Sequence, residues 1–307
     1  MFPFPTDPVL QAIVIAYRNQ GLIADLVLPR VPVAKREFKY NLYPIEETFA
    51  LPDTKVGRKS RVNQIDLTAI EATSSCEDYG LGDPIPQDDI DNAPKNYDPK
   101  ARAVQQIADY IALGHEVRTA AMVFNAANYA AGLSEVLVGT AQFSDFANSS
   151  PLDVIGEALD KPLMRPNQIA WGQEVWTKVS RHPDVVQAAH GNSGDKGVAR
   201  REAVAEIFEV DRILVGKSRL NTAKKGQAAA LSRVWGKHIS LTYIDPNADT
   251  NNGLTFGYTA QFGDKVAGEK EDADIGLRGG VEVRAGESVQ EVIAASQAGY
   301  LIQNAVA

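Results

Sequence analysis

The chain of 307 residues is 44% hydrophobic and 23% charged, an ordinary globular composition with enough apolar material for one large domain or two. Its formal net charge of −8 argues against a protein that grips nucleic acid through a broad basic face. A single cysteine, Cys76, rules out an internal disulfide framework, and no apolar run approaches the ~20 residues that cross a bilayer. The opening MFPFPTDPVL has no basic segment ahead of an apolar stretch, so it does not read as a signal peptide.

Pro3, Pro5, Pro8, Pro29 and Pro32 punctuate the first segment and leave room for a short helix over Val9–Arg18. Each proline removes a donor and stops helix propagation, so this segment is expected to run extended as an arm. In Lys35–Tyr43, Phe38, Tyr40 and Leu42 alternate with Glu37, Lys39 and Asn41, the period of a strand. A matching run over Val62–Ala72 places Ile65, Leu67 and Ala69 on one face. Between them lies a polar stretch with the basic cluster KVGRKSR and no core pattern. Together they predict an extended hairpin that projects roughly 30 Å. A lone two-stranded ribbon is marginal, so it is expected to pack outside this chain's own core.

LGDPIPQDDIDNAPKNYDPKAR, Leu81–Arg102, reads as an acidic, proline-rich connector that ends on an N-cap, Asp98, followed by Pro99. A helix of ~28 residues then runs to about Asn125 and would span about 42 Å. Val104, Ile107, Ile111, Gly114, Val117, Ala121 and Phe124 mark its expected buried stripe. From Ser150 the texture becomes mixed α/β. Helices are expected after Ser150-Pro151, over GQEVWTKVSRHPDVVQAA and over REAVAEIFEV, and strands at NQIAWG, RILVG, KHISLTYI and LTFGYTAQF. Two strand-like runs close the chain.

Enzymatic chemistry is not visible. Gly216-Lys217-Ser218 follows a strand as in a phosphate-binding loop, but the first glycine of that pattern is replaced by Asp211, whose charge would repel phosphate. A strand followed by a basic turn is the favoured reading. His115 is expected to be packed or on the surface, while His182 and His190 are expected at exposed helix caps. No histidine has zinc-ligand spacing. HGNSGDKG lacks the second glycine of a nucleophile elbow and reads as a glycine-rich loop. PQDDIDN lacks the calcium-loop register, and Cys76 is expected to be inert.

The order of parts resembles the major capsid proteins of tailed bacteriophages, an α+β fold of the Hong Kong 97 type. The resemblance is carried by VLPRVPVAKREFKYNLY, YDPKARAVQQIADYIALGHEVRTA, VDRILVGKSRLNTAKKG, SRVWGKHISLTYI and GVEVRAGESVQEVIAASQAGYLI, and it covers essentially the whole chain. It implies an N-arm at 1–33, an extended hairpin loop at 34–76 and a peripheral domain at 77–149 with its spine helix at about 98–125. An axial domain at 150–255 and a return through peripheral strands into the axial domain at 256–307 complete it. It also implies self-assembly into hexamers and pentamers of an icosahedral shell around double-stranded DNA, without a cofactor, metal or membrane. Contacts between copies are expected at Phe49, Leu51, Lys55, Arg58, Lys59 and Arg61 on the hairpin and at Lys217 and Arg219 near the capsomer axis. Because the arm begins at Met1, scaffolding is expected from a separate protein, or the chain is already processed; portal and decoration proteins are further implied partners. The competing readings are a nucleotide-binding enzyme and a smaller ring-forming virion component.

If the broken phosphate loop is inert, Lys217→Ala leaves the fold intact and calorimetry detects no ATP binding in either protein. Micromolar binding lost on that substitution would restore the enzyme reading.

Overall fold

The computed structural model describes residues 9–10, 21–42, 51, 53–58, 60–64, 70–95, 97–191, 197–224, 226–250 and 253–307. The expected helix over Val9–Arg18 lies mostly outside them, as do Phe49, Lys59 and most of HGNSGDKG. The first half contains α1 (Ala24–Val27), β1 (Arg30–Val33), β2 (Glu37–Leu42), β3 (Ile70–Ser75), β4 (Glu77–Pro86), α2 (Gln87–Asp91) and the spine, α3 (Pro99–Val123). Asp98 starts the spine by accepting the amide hydrogens of Lys100 and Ala101, with Pro99 where a missing N–H does no harm.

β5 (Ser134–Val136), α4 (Pro151–Asp160), β6 (Gln168–Gly172), α5 (Gln173–Val179), α6 (Pro183–His190), α7 (Arg201–Phe208), β7 (Arg212–Gly216), β8 (Arg219–Asn221), β9 (Leu231–Arg233) and β10 (Ile239–Thr242) follow. The segment expected as one helix is thus two, α5 and α6. The break falls at Pro183, which lacks the N–H that a continuing helix needs. β11 (Gly257–Phe262), β12 (Val266–Asp272), β13 (Gly280–Ile293) and β14 (Gly299–Gln303) complete the chain.

Two five-stranded sheets organise these elements. In the first, β4 runs along one edge of β13, while β11 and β12 follow each other along its other edge; β1 pairs in parallel with β11. Leu81–Pro86, expected as connector, is therefore the second half of a strand. Its prolines are tolerated because β4 pairs on one side only, so an absent N–H breaks no ladder there. The spine lies across this sheet and buries Ala103, Val104, Ile107 and Ala108 against Ile85, Ala267, Val281, Val283 and Ala285.

The second sheet has the order β5-β14-β10-β6-β7 and is covered on both faces. Strand alternation explains how. Ile169, Trp171, Ile213, Val215, Ile239, Leu241, Tyr300 and Ile302 meet Ile155, Leu159, Val175, Val179, Val204 and Phe208 of the helices. The intervening Ala170, Leu214 and Leu301 meet Val27, Leu28, Ala120, Val123 and Trp235 on the opposite side.

The hairpin is present as the antiparallel pair β2–β3, registered from Glu37↔Ser75 to Leu42↔Ile70. Among the described residues its return strand spans Ile70–Ser75 and residues 61–64 have no regular structure; the expected face of Ile65, Leu67 and Ala69 lies outside the described residues. The base is also less separate than expected, because Phe38 is buried with Val31, Val33, Cys76 and Tyr258. That apolar anchor fixes where the ladder forms.

Gly172 and Gly216 end β6 and β7 side by side, in register with each other. A Cβ on Gly172 would fall 1.9 Å from the carbonyl oxygen of Gly236, a backbone atom that cannot rotate away. Gly172→Ala is expected to destabilise the subunit by about 3 kcal/mol or more in chemical denaturation, the upper range of overpacking effects.

Candidate functional site

Gly216-Lys217-Ser218 leads into the two-stranded hairpin β8–β9, not into a helix. A phosphate loop needs a helix N-terminus to present its N–H groups, and the turn provides none. Trp235 packs so closely that a Cβ at Gly216 would lie 2.0 Å from its ring. The Ser218 hydroxyl is committed as well, donating to Glu116 Oε1 at 3.1 Å.

Glu116 lies in the spine and is completely buried. Its Oε2 accepts the backbone N–H groups of Ile23 at 2.9 Å and Ala24 at 2.8 Å; its Oε1 takes the Ser218 hydroxyl and the Trp235 indole N–H. The first turn of a helix has amide hydrogens without intrahelical partners, and α1 has no cap from its own sequence. Glu116 supplies that cap from another element. Burial pushes its carboxyl pKa up, while the hydrogen bonds from Trp235, Ala24, Ser218 and Ile23 pull it back, leaving it raised.

Next to it, His115 joins three elements. Its Nδ1 lies 2.7 Å from Glu291 Oε1 on β13, and its Nε2 is 3.2 Å from Asp25 Oδ1 on α1. Arg118 donates to the same Glu291 oxygen at 3.0 Å and stacks 3.6 Å over the Tyr79 ring of β4. Arg30 bridges Asp25, at 2.7 Å, to Glu287 of β13, at 2.7 Å. The arm is thereby clamped to the spine and the first sheet through charges that are mostly removed from water.

This changes the expected stripe of the spine. Val104 and Ile107 are buried as expected, but farther along His115, Glu116, Thr119, Ala120 and Val123 are buried and Ala121 is exposed. His182 is corrected too. It is fully buried rather than an exposed cap, with Nδ1 accepting the Asp184 amide hydrogen and Nε2 3.2 Å from Ser149 Oγ. His190 is exposed, as expected. Cys76 is buried, and burial raises its thiol pKa, the opposite of an activated nucleophile.

Of the residues expected to contact other copies, Leu51 is 93% exposed, and Lys55, Arg58, Arg61, Lys217 and Arg219 are all exposed. The Lys55 N–H donates to Asp53 Oδ1, the Asn63 amide reaches Asp53 O, and Ser60 N–H closes a turn on Gly57 O. These bonds order the tip around its basic residues. No hydrogen bond or ion pair connects the tip with Lys217 or Arg219 among the described residues. No cluster of histidine, cysteine or carboxylate side chains that could hold a metal occurs among the described residues, and none of their helices is long and apolar enough to cross a membrane.

No protein-family model matches the chain. It is 50% identical over 305 residues to the major capsid protein of Pseudomonas phage JBD67, covering 99% of this chain and 98% of that one. The chain belongs to the phage major capsid proteins. A second such capsid protein, from Burkholderia phage BcepMu, is 28% identical over 96% of this chain and 95% of its own. Among solved structures, a phage-related protein from Bordetella bronchiseptica superposes with a TM-score of 0.75 at 24% identity, covering 99% and 98% of the two chains. The capsid of cyanophage P-SCSP1u gives a TM-score of 0.60 at 11% identity over 94% of this chain and 89% of that one. The capsid subunit thus has the Hong Kong 97-type fold, and its joint of Glu116 and His115 sets how arm, spine and sheets are held.

The ion pairs make that joint pH-dependent in a defined direction. Burial lowers the His115 pKa, but its contacts with Asp25 and Glu291 outweigh this and leave it raised. Burial raises the Asp25 and Glu291 carboxyls, but their contacts with His115 and the neighbouring arginines leave both lowered. The histidine contribution is therefore complete below its ordinary value of about 6.5 and is lost as pH rises through the raised value. The carboxylate contributions are complete above about 4.5 and are lost as pH falls through the lowered values. His115→Gln is expected to cost about 3 kcal/mol below pH 6.5. The gap between the thermal midpoints of parent and variant should narrow as pH rises above 6.5; a constant gap would mean the imidazole is not charged in the fold.

Proposed function

We infer that copies of this subunit build the phage head: hexamers and pentamers form an icosahedral shell that encloses double-stranded DNA. The observation that carries this is the 50% identity, over almost the entire length, to a phage major capsid protein. The role is structural rather than catalytic. The net charge of −8 suits a shell that must surround DNA without gripping its phosphates.

In this reading the spine and first sheet form the peripheral domain, residues 77–149 with the returning strands of 256–307. The second sheet and its helices, residues 150–255 with β14, form the axial domain. Lys217 and Arg219 then lie near the capsomer axis. The hairpin tip, with Phe49, Leu51, Lys55, Arg58, Lys59 and Arg61, reaches a neighbouring copy. The exposure of Leu51 and the three described cations supports this, since an apolar side chain left in water gains from burial against a partner. A separate scaffolding protein, a portal and a decoration protein are its further partners, and assembly takes place in the host bacterial cytoplasm.

Electron microscopy of the purified chain, without nucleotide, is expected to show closed shells or capsomers. Deleting Ile45–Ser60 should leave a folded subunit with a nearly unchanged thermal midpoint that no longer sediments as shells. A subunit unfolded by the deletion would place the tip in the core, and unchanged shells would remove it from assembly.

A further inference from the structure

Among the described residues β8 and β9 form a sheet of two strands, so each has an edge with no strand beside it. Val234 N–H donates to Ser218 O and Thr222 N–H to Ala230 O at the two ends of the ladder. By alternation, Arg219↔Arg233 and Asn221↔Leu231 are pairs without mutual hydrogen bonds. At such pairs facing side chains come closest, and the main-chain groups point outward to the free edges. Like charges directly opposite each other weaken a hairpin. Glu174 of α5 meets Arg233 at 3.4 Å, but Arg219 is exposed and has no charged partner among the described residues. Leu231 stands on the same face and is 60% exposed.

The surroundings carry the same sign. Arg212–Ile244 contains seven lysines and arginines and no aspartate or glutamate, although the whole chain has 31 basic against 39 acidic residues. Lys217, just before β8, and Lys224, between the two strands, are exposed and have no ion-pair partner among the described residues. The charge selects an acidic partner, and the edge selects its form. The main chains of Arg219 and Asn221 present both N–H donors and C=O acceptors along the edge of β8. Phosphodiester groups only accept, so a nucleic-acid backbone leaves the carbonyl oxygens unmet. An extended peptide brings both kinds of group at the matching spacing. A third strand also supports a ribbon that is marginal alone.

We propose that the free edge of β8 takes an extended acidic segment of a separate protein as a third strand, with carboxylates at alternate positions meeting Arg219 and Lys217. This goes beyond the shell-building reading and does not depend on it, because the surface belongs to a single subunit. A carboxylate opposite Arg219 supplies the counter-charge that Glu174 gives Arg233, and the guanidinium fork gives that contact direction. Main-chain hydrogen bonds carry the affinity, and the cations choose the sequence.

The test titrates the full chain with a fluorescein-labelled octapeptide of alternating glutamate and threonine and reads fluorescence anisotropy. The parent is expected to bind it, Arg219→Ala to bind about tenfold more weakly, and Arg219→Glu more weakly still. A lysine–threonine counterpart should not bind, and N-methylation of the glutamate peptide's backbone amides should remove binding although every charge is kept. Both variants are expected to unfold at the parent's temperature or slightly above it, since each removes the like-charge pair. No binding by the parent, binding that survives Arg219→Glu or N-methylation, or duplex DNA that displaces the peptide at lower concentration than the peptide itself would overturn the proposal. So would a peptide that binds unassembled subunits but not shells, because a neighbouring copy then occupies the edge. Parent protein that binds the peptide yet forms no shells would sink the shell-building reading and leave this one standing.

Discussion

One carboxylate holds three separate parts of the chain against the spine. Glu116 caps a helix of the arm, takes the hydroxyl of the turn after β7 and accepts the indole hydrogen of Trp235, all from the middle of the spine. Burying a carboxylate is unfavourable unless its oxygens are met by donors, so the site tolerates Glu116 only in the arrangement that delivers all four. Losing it would orphan two amide hydrogens, a hydroxyl and an indole N–H, each expensive to leave unpaired away from water. Arm, spine and second sheet therefore move together or not at all.

The neighbouring ion pairs extend that constraint to the first sheet. On the face of β13 turned to the spine, Val281, Val283 and Ala285 give way to Glu287 and Glu291, so apolar packing at one end becomes charge pairing at the other. The two kinds of contact differ in tolerance. Apolar packing slides with little directional penalty, whereas the Arg30, His115 and Arg118 contacts demand fixed distances. The charged end sets the position of the arm.

Some elements are legible from local signals in the sequence. Asp98-Pro99 marks the start of the spine, period-two alternation marks β2, and Arg212–Gly216 is a strand that runs into a basic turn. What escaped depends on partners far along the chain. Glu116 and Ile23 are 93 positions apart and His115 and Glu291 are 176 apart, so neither charge showed any reason to be buried. β4 was hidden by its prolines, which forbid a central strand but not an edge. The buried His182 was hidden by Pro183, which marks a helix start without revealing what covers it. An unusual adjacent pair of ionisable residues within the apolar period of the spine was the only available signal of the joint.

The strand order also determines when a subunit comes into existence. β1 pairs with β11, β4 with β13, and the second sheet has β14 as an interior strand between β5 and β10. A growing polypeptide on the ribosome can close neither sheet until nearly 300 residues have emerged. Such long-range pairing is slow compared with local helix formation. Incomplete chains consequently lack the framework that holds the hairpin base, and translation itself keeps fragments from entering a lattice in which each defective member would be a fault around a symmetry axis.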